Sequence, residues 1–248
     1  MFKLVLADPE MLKNSIPIIA EIIDEGVFHI THNGVSLLTP DRAMVSVVDF
    51  KLLSTAFEEF KIEKDVALGL NLANLSAVLR RAKAQDKVIL ESEGDRLRIT
   101  LLGGGKRVFE IPIIETKTEK PPVDQLAFGG RIEIDTGVIE EGIADADVIG
   151  DSIIFEANET GFRMHAKGDV SSAELHMQKG DSGLHEVKVH KAIRSQYPLD
   201  YLKKMIKAGK LAKRLVLEFG TDYPIRLSFK TVDKMNLSFI LAPRVTED

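Results

Sequence analysis

Basic side chains recur in this sequence at spacings that would set them side by side on a helix. Arg80, Lys83 and Lys87 are three and four residues apart, and Lys207, Lys210 and Arg214 repeat that pattern 127 positions later. Residues so spaced share a helical face, provided the helix reaches that far. Lys203 and Lys204 extend the second set backwards by one turn. Cations arranged in this way neutralise phosphates, with contacts that ignore base identity and weaken in salt. A basic stripe repeated at a fixed interval suits a ligand that is itself repetitive and anionic, and duplex DNA is one. The chain as a whole is not basic: 33 Lys and Arg face 38 Asp and Glu, a net charge of −5. Positive charge must therefore be focused locally. Residues 71–87 and 199–214 carry +3 and +5, whereas residues 8–24 and 135–147 carry −3 and −5.

Other chemistry is missing. With no cysteine among 248 residues, disulfides, thiolate metal sites and cysteine nucleophiles are excluded, a usage that suits an intracellular protein. The six histidines are scattered. His29 and His32 are three apart, which in a strand sends them to opposite faces. Gly103-Gly104-Gly105-Lys106-Arg107 hints at a phosphate loop, but no Ser or Thr follows the lysine and the P-loop glycine spacing is absent. It reads instead as a hairpin turn between Leu97–Leu102 and Val108–Ile114. There is no Gly-x-Ser-x-Gly elbow. The expectation is a protein without catalytic residues, metal or cofactor. No apolar run approaches the ~18 residues that span a bilayer, and Met1-Phe2-Lys3-Leu4 lacks the layout of a signal peptide. No membrane association is expected.

The elements that would position the cations come in two copies. A constant shift of 127 places Asp8 on Asp135, Ile16 on Ile143, Asp24 on Asp151, Phe28 on Phe155 and Gly34 on Gly161. Further on it places Leu72 on Leu199, Leu75 on Leu202, Lys83 on Lys210, and Leu90-Glu91 on Leu217-Glu218. A duplicated domain follows: residues 1–116, a linker 117–130, and residues 131–248. The linker region is polar, carries Pro121-Pro122 and ends in Gly129-Gly130. Leu126 and Phe128 within it are apolar, which an exposed linker explains only if they pack on something. In each half an amphipathic helix comes first, with Leu12, Ile16, Ile19 and Ile23 in one copy, kinked at Pro17, and Val138, Ile139, Ile143, Ala146 and Ile149 in the other. Short β-rich runs follow. A second helix starts near Asn71 and near Leu199, with stripes Leu72, Leu75, Leu79, Ala82 and Leu199, Leu202, Ile206, Gly209, and further strands close the half. The fold class is α+β, with helices on one face of antiparallel sheet.

These residues resemble a specific family. Gly34-Val35-Ser36-Leu37 through Asp41 and Val45-Ser46, Gly69-Leu70-Asn71-Leu72, Asp124-Gln125-Leu126, Gly168-Asp169, and Leu241-Ala242-Pro243-Arg244 with the acidic end Glu247-Asp248 are similar to the sliding clamps of the proliferating-cell-nuclear-antigen type, above all the archaeal ones. The resemblance covers the whole chain. It implies a DNA clamp fold, three chains forming a closed ring, and a cytoplasmic, DNA-associated processivity factor in replication and repair. The implied partners are double-stranded DNA, two further copies of the chain, and a clamp loader, DNA polymerase, flap endonuclease and DNA ligase that dock through short peptide motifs of the PIP-box kind.

The resemblance also implies roles for residues. Lys13, Arg80 and Lys207 would face DNA, and the basic stripe adds Lys83, Lys204 and Lys210. Ala20 and Ala77 stand where relatives often have lysine. A partner peptide would dock in an apolar pocket that uses Pro40, Met44, Val45, Leu126, Phe128, Pro198, Tyr201, Pro224, Leu241, Ala242 and Pro243. The family's usual proline after the linker leucine is absent, and Gly129-Gly130 stands nearby. Subunits would join through Arg81, Lys83 and Arg107 on one chain and Glu141 and Asp145 on the next, a role favoured for Lys83 over DNA contact. Two other readings stay open: one member of a mixed trimer, or an enzyme or binding module built from a duplicated domain.

Overall fold

The computed structural model describes residues 1–116 and 120–244. Residues 117–119 of the expected linker and the acidic end Glu247-Asp248 therefore lie outside the described residues. The chain divides into two compact units, Met1–Pro121 with Thr231–Leu237, and Pro122–Lys230 with the segment from Ser238 onward.

The two halves carry the same elements in the same order. In the first these are β1 (Phe2–Leu6), α1 (Glu10–Ile19), β2 (Glu25–Thr31), β3 (Gly34–Pro40), β4 (Ser46–Leu53), β5 (Glu59–Ile62), β6 (Val66–Asn71), α2 (Leu72–Leu79), β7 (Lys87–Glu93), β8 (Arg96–Leu102) and β9 (Lys106–Pro112). In the second they are β10 (Gly130–Asp135), α3 (Thr136–Ile149), β11 (Ser152–Asn158), β12 (Gly161–Lys167), β13 (Ser172–Gln178), β14 (Leu184–Val189), β15 (Ile193–Pro198), α4 (Leu199–Met205), β16 (Arg214–Phe219), β17 (Ile225–Thr231) and β18 (Met235–Leu241). Pairing repeats as well. The strand order β5-β1-β7-β8-β9 has its counterpart in β14-β10-β16-β17-β18, and β4-β3-β2-β6 has its counterpart in β13-β12-β11-β15. Phe28 opposite Leu37 in one copy becomes Phe155 opposite Met164 in the other.

Period-2 burial makes these strands. Ile153, Phe155 and Ala157 on β11 and Phe162, Met164 and Ala166 on β12 point inward, while their neighbours point out. The helices close over this face, and Leu12, Ile16, Leu75 and Leu79 are buried beneath them in the first unit. The cores are filled differently. The second unit clusters aromatics edge to face: Phe155 lies 5.6 Å from Phe162, 5.7 Å from Tyr197 and 6.2 Å from Phe219. The equivalent positions of the first unit hold Phe28, Val35, Leu70 and Ser92. A small apolar cavity of about 40 Å³ remains there, lined by residues that include Phe28, Val35 and Leu70.

Two helix expectations are corrected. α1 ends at Ile19, so Ile23 is buried from the turn beyond it. Pro17 falls in the last turn, where its missing N–H leaves only the Lys13 carbonyl without its usual donor. α2 starts where the sequence indicates, with the Asn71 side chain accepting from the Asn74 N–H at 3.0 Å, but it stops at Leu79. Lys83 and Lys87 therefore do not continue its face. A buried carboxylate organises this exit. Asp86, 2% exposed, accepts the Lys83 N–H at 2.8 Å and pairs with the Arg107 guanidinium, which also donates to the Arg81 carbonyl at 3.0 Å. The three-glycine segment is the expected hairpin turn, with Leu102 opposite Lys106. Gly103 is required there, because a Cβ at that position would lie 1.9 Å from Asp86 Oδ1, whereas one at Gly104 would meet nothing within 4 Å.

Gly103→Ala is expected to destabilise the first unit by more than ~1 kcal/mol, since Asp86 must leave its partners. Gly104→Ala is expected to stay within ~0.5 kcal/mol. Urea unfolding of both variants tests this, and equal effects would contradict the role given to Asp86.

Candidate functional site

Apart from Lys13, the predicted DNA-facing cations sit at or just beyond the C-terminal ends of helices. Lys13 is half-buried on α1 and pairs with Glu10 at 3.5 Å. Arg80 caps the C-terminus of α2 and is exposed, as is Lys83 in the turn that follows. In the second unit α4 is only seven residues long and passes into a 3₁₀ turn, Ile206–Lys210, that carries Lys207 and Lys210 on its exposed side. Lys204 lies over the Tyr201 ring at 5.5 Å. Lys203 is tied to Asp147 on α3 at 2.8 Å, so the acidic helix absorbs one charge of the stripe. Arg214 begins β16 and pairs with Glu133 at 3.3 Å, and Lys87 begins β7 and pairs with Glu58. Among the described residues no continuous basic helical face forms in either unit. What repeats is a basic helix C-terminus, a position the helix dipole favours for cations.

The pocket residues fall into two groups. Pro40, Met44 and Val45 belong to the first unit, Pro40 at the end of β3 and the other two in the β3–β4 loop. Asp41, 6% exposed, builds this loop. Its carboxylate accepts N–H groups from Ser46 at 2.7 Å, Val45 at 2.9 Å and Ala43 at 3.3 Å. Met44 is thereby held at φ 58° and is 71% exposed. An apolar side chain at positive φ in solvent is unfavourable on both counts, and Asp41 holds it there.

The others belong to the second unit. Phe128 packs edge to face on Tyr223 at 5.9 Å, with the Arg226 guanidinium 4.7 Å from its ring centre. The Ala127 N–H donates to the Tyr223 hydroxyl at 3.3 Å, and Val123 is buried. Leu126 is half-buried. So Phe128 of the linker packs on the second unit. The Tyr223 carbonyl in turn accepts from the Tyr197 hydroxyl at 2.7 Å and from Ser195 at 3.3 Å. Burial pushes the Tyr197 phenol well above its ordinary range. Pro198, Tyr201, Pro224, Ala242 and Pro243 are half-buried, but Leu241 is fully buried. The Leu241 side chain therefore serves the core, a correction to its expected place in a surface pocket. The tail runs on beside β15, where the Arg244 N–H donates to the Gln196 carbonyl at 2.7 Å. The Arg244 guanidinium bonds Asp151 and holds that carboxyl below its usual range.

The expected subunit residues gather beside two strand edges. β9 and β13 each end a sheet order, and at seven residues they are the longest terminal strands among the described residues. Arg107 lies on β9 itself and Arg81 and Lys83 on the adjoining turn, although Arg107 is engaged by Asp86 within its own unit. Glu141 and Asp145 lie on the exposed side of α3, the helix packed on β13. β13 carries an ion-pair ladder. Arg163 bridges Glu156 at 3.0 Å and Glu174, and His176 also contacts Glu174. The hydrogen bond from Arg163 holds the Glu174 carboxyl below its usual value. For Glu156 desolvation pulls upward, but His165 and Arg163 together outweigh it and the net direction is down.

Sequence reasoning missed Arg226, Tyr223 and the roles of Asp41 and Asp86. A buried Asp leaves a weak signal in one sequence, since its N–H partners are backbone groups.

Comparison with known proteins gives a consistent result. Residues 1–108 match the family model for the proliferating cell nuclear antigen N-terminal domain, and residues 130–244 match that for its C-terminal domain. The chain is 32% identical over 248 residues to the DNA polymerase sliding clamp of Thermococcus gammatolerans, covering 99% of each. It is 30% identical over 247 residues to that of Pyrococcus furiosus, again covering 99% of each. A crystal structure of PCNA from Thermococcus kodakaraensis superposes with a TM-score of 0.93 at 25% identity, covering 98% of this chain and 100% of the other.

Because the Glu174 carboxyl is depressed in the folded chain, its pairing with Arg163 stabilises the fold above the ordinary carboxylate value of 4.5 and is lost as pH falls through the folded value. An NMR titration is expected to place the Glu174 midpoint below 4.5 and to return it toward 4.5 in Arg163→Met. An unshifted midpoint in the unsubstituted chain would contradict the ladder.

Proposed function

The chain belongs to the proliferating cell nuclear antigen family, and from that premise we propose that three copies close head to tail into a ring around duplex DNA. It is a DNA polymerase sliding clamp, a processivity factor and not an enzyme. The single observation that carries the ring is the pair of open edges. Among the described residues β9 and β13, seven residues each, have a strand partner on one side only, so alternate backbone N–H and C=O groups face outward, and Val108 on β9 is 41% exposed. A long open edge is a template for another strand. One edge of each kind per chain makes a heterologous contact, which generates a ring when the rotation closes.

The charges support this polarity. Arg81 and Lys83 flank β9, and Glu141 and Asp145 flank β13. Joining the two edges brings opposite charges together, which steers encounter and fixes register. Because both kinds of edge lie on one chain, self-assembly is favoured over a mixed ring. Arg80, Lys207 and Lys210 supply the phosphate contacts in this reading, assisted by Lys13 and Lys204. Lys83 serves the subunit contact first.

Partner peptides dock on the second unit along the linker, against Leu126, Phe128 and Pro224, with Ala242 and Pro243 of the tail available for strand-like pairing. Pro198 and Tyr201 extend this surface. Met44 and Val45, on the Asp41 loop of the first unit, are proposed as partner contacts in their own right. Methionine suits a surface that must accept several partners. A clamp loader, DNA polymerase, flap endonuclease and DNA ligase are the partners proposed, in the cytoplasm on DNA. The functional division proposed is 1–116, a linker 117–130 and 131–248.

Encirclement has a topological signature. Protein loaded onto a nicked circular plasmid is expected to stay bound through gel filtration and to be lost once a single cut linearises the DNA. Retention that survives linearisation would mean that the chain grips the backbone without surrounding it, and would overturn the ring.

A further inference from the structure

Two arginines occupy the same place in the two units and do different things. Arg98 on β8 stands opposite Glu91, and Arg226 on β17 stands opposite Glu218. Glu91 and Glu218 are themselves repeat equivalents. In the first unit Arg98 is used on carboxylates, bonding Glu93 at 2.6 Å and approaching Glu110 at 3.9 Å. In the second unit the position of Glu93 is taken by Gly220. Arg226 keeps Glu218 at 3.5 Å and turns its other donors elsewhere. It donates to the Val123 carbonyl at 3.2 Å and sets its guanidinium 4.7 Å from the centre of the Phe128 ring. Both acceptors are linker residues.

Gly220 contributes a second time. A Cβ there would lie 3.4 Å from the Gly129 nitrogen and 3.3 Å from Tyr223 Cβ. The bare backbone lets the linker pass close to the end of β16. Tyr223 completes the arrangement, its hydroxyl accepting the Ala127 N–H and its ring meeting Phe128 nearly at right angles. The linker is thus held at Val123 by a charged hydrogen bond, at Ala127 by a hydroxyl, at Phe128 by a cation and an aromatic ring, and at Gly129 by close backbone approach.

We propose that Arg226 is a latch for the interdomain linker, a positioning residue that fixes the docked path of residues 123–129 on which the partner-peptide surface is built. The proposal rests on the docking reading above for its consequence, but not for the latch itself. A charged hydrogen bond and a cation–π contact each add modestly to stability, and their removal is expected to open the linker about tenfold more often. When only part of the population is competent, apparent affinity falls by that fraction.

The test uses the full chain. Hydrogen exchange is measured at the amides of residues 123–128 in the unsubstituted protein, Arg226→Met, Arg226→Lys and Phe128→Leu. Arg226→Met and Phe128→Leu are expected to speed exchange about tenfold in this segment only, with an unchanged thermal midpoint, and Arg226→Lys to lie between. Combining Arg226→Met with Phe128→Leu is expected to add less than the sum, because each removes the same contact. Unchanged protection in Arg226→Met, or full additivity, would overturn the latch. A labelled peptide with two adjacent phenylalanines then reads the consequence. The competent fraction read from exchange sets the expected loss: binding to Arg226→Met weakened by that fraction supports the positioning role, and binding that departs from it overturns it. A peptide that fails to bind the unsubstituted chain overturns the docking reading, while exchange still decides the latch.

Discussion

A β-strand that ends a sheet leaves half of its backbone hydrogen-bonding groups without strand partners, and this constraint governs the molecule. Each copy of the repeat makes nine strands and two helices, more strand than its sheets can close on themselves. Some terminal strands are covered locally. The Ile114 N–H donates to the Gly69 carbonyl of β6, and at the equivalent place the Arg244 N–H donates to the Gln196 carbonyl of β15. β5 is only four residues long. β9 and β13 are seven, and each sits beside a helix or turn of one charge sign. In the proposed ring, assembly is the ordinary consequence of sheet chemistry, and encirclement of a long polyanion follows from closure.

The duplication explains why so much was legible in the sequence. A shift of 127 residues predicts paired elements, and the structure repeats even the strand partners. Leu72, Leu75, Leu79 and Ala82 are all buried as their spacing indicates. The glycine run reads correctly as a hairpin because strand-like runs flank it. Within this shared frame the cores diverged. Val35 and Leu70 stand where the second unit has Phe162 and Tyr197, so topology was kept while the filling changed. Patterning sets the fold, and detailed packing is free to drift, here at the cost of the small cavity left where the first unit has the smaller side chains.

The site was less legible, for physical reasons. A basic stripe at helical spacing predicts a helical face, but α2 ends at Leu79 because Asp86 draws the chain into a turn. The recurrence of the stripe was a true signal of equivalent position and a poor guide to helix length. Arg107 reads as a free interface cation, yet it pairs with a buried carboxylate 21 residues earlier in the chain. Leu241 reads as pocket and belongs to the core. Arg226 was invisible, because a strand arginine opposite a glutamate gives no hint in the sequence of turning toward a phenylalanine almost a hundred residues away.

Closure through complementary edges is tested most directly by the mass in solution. Light scattering at micromolar concentration and low salt is expected to give three times the 27.5 kDa chain, about 82.5 kDa, with dissociation as salt screens the flanking charges. A stable 27.5 kDa species under those conditions would contradict self-closure and leave the two edges to be matched by other subunits.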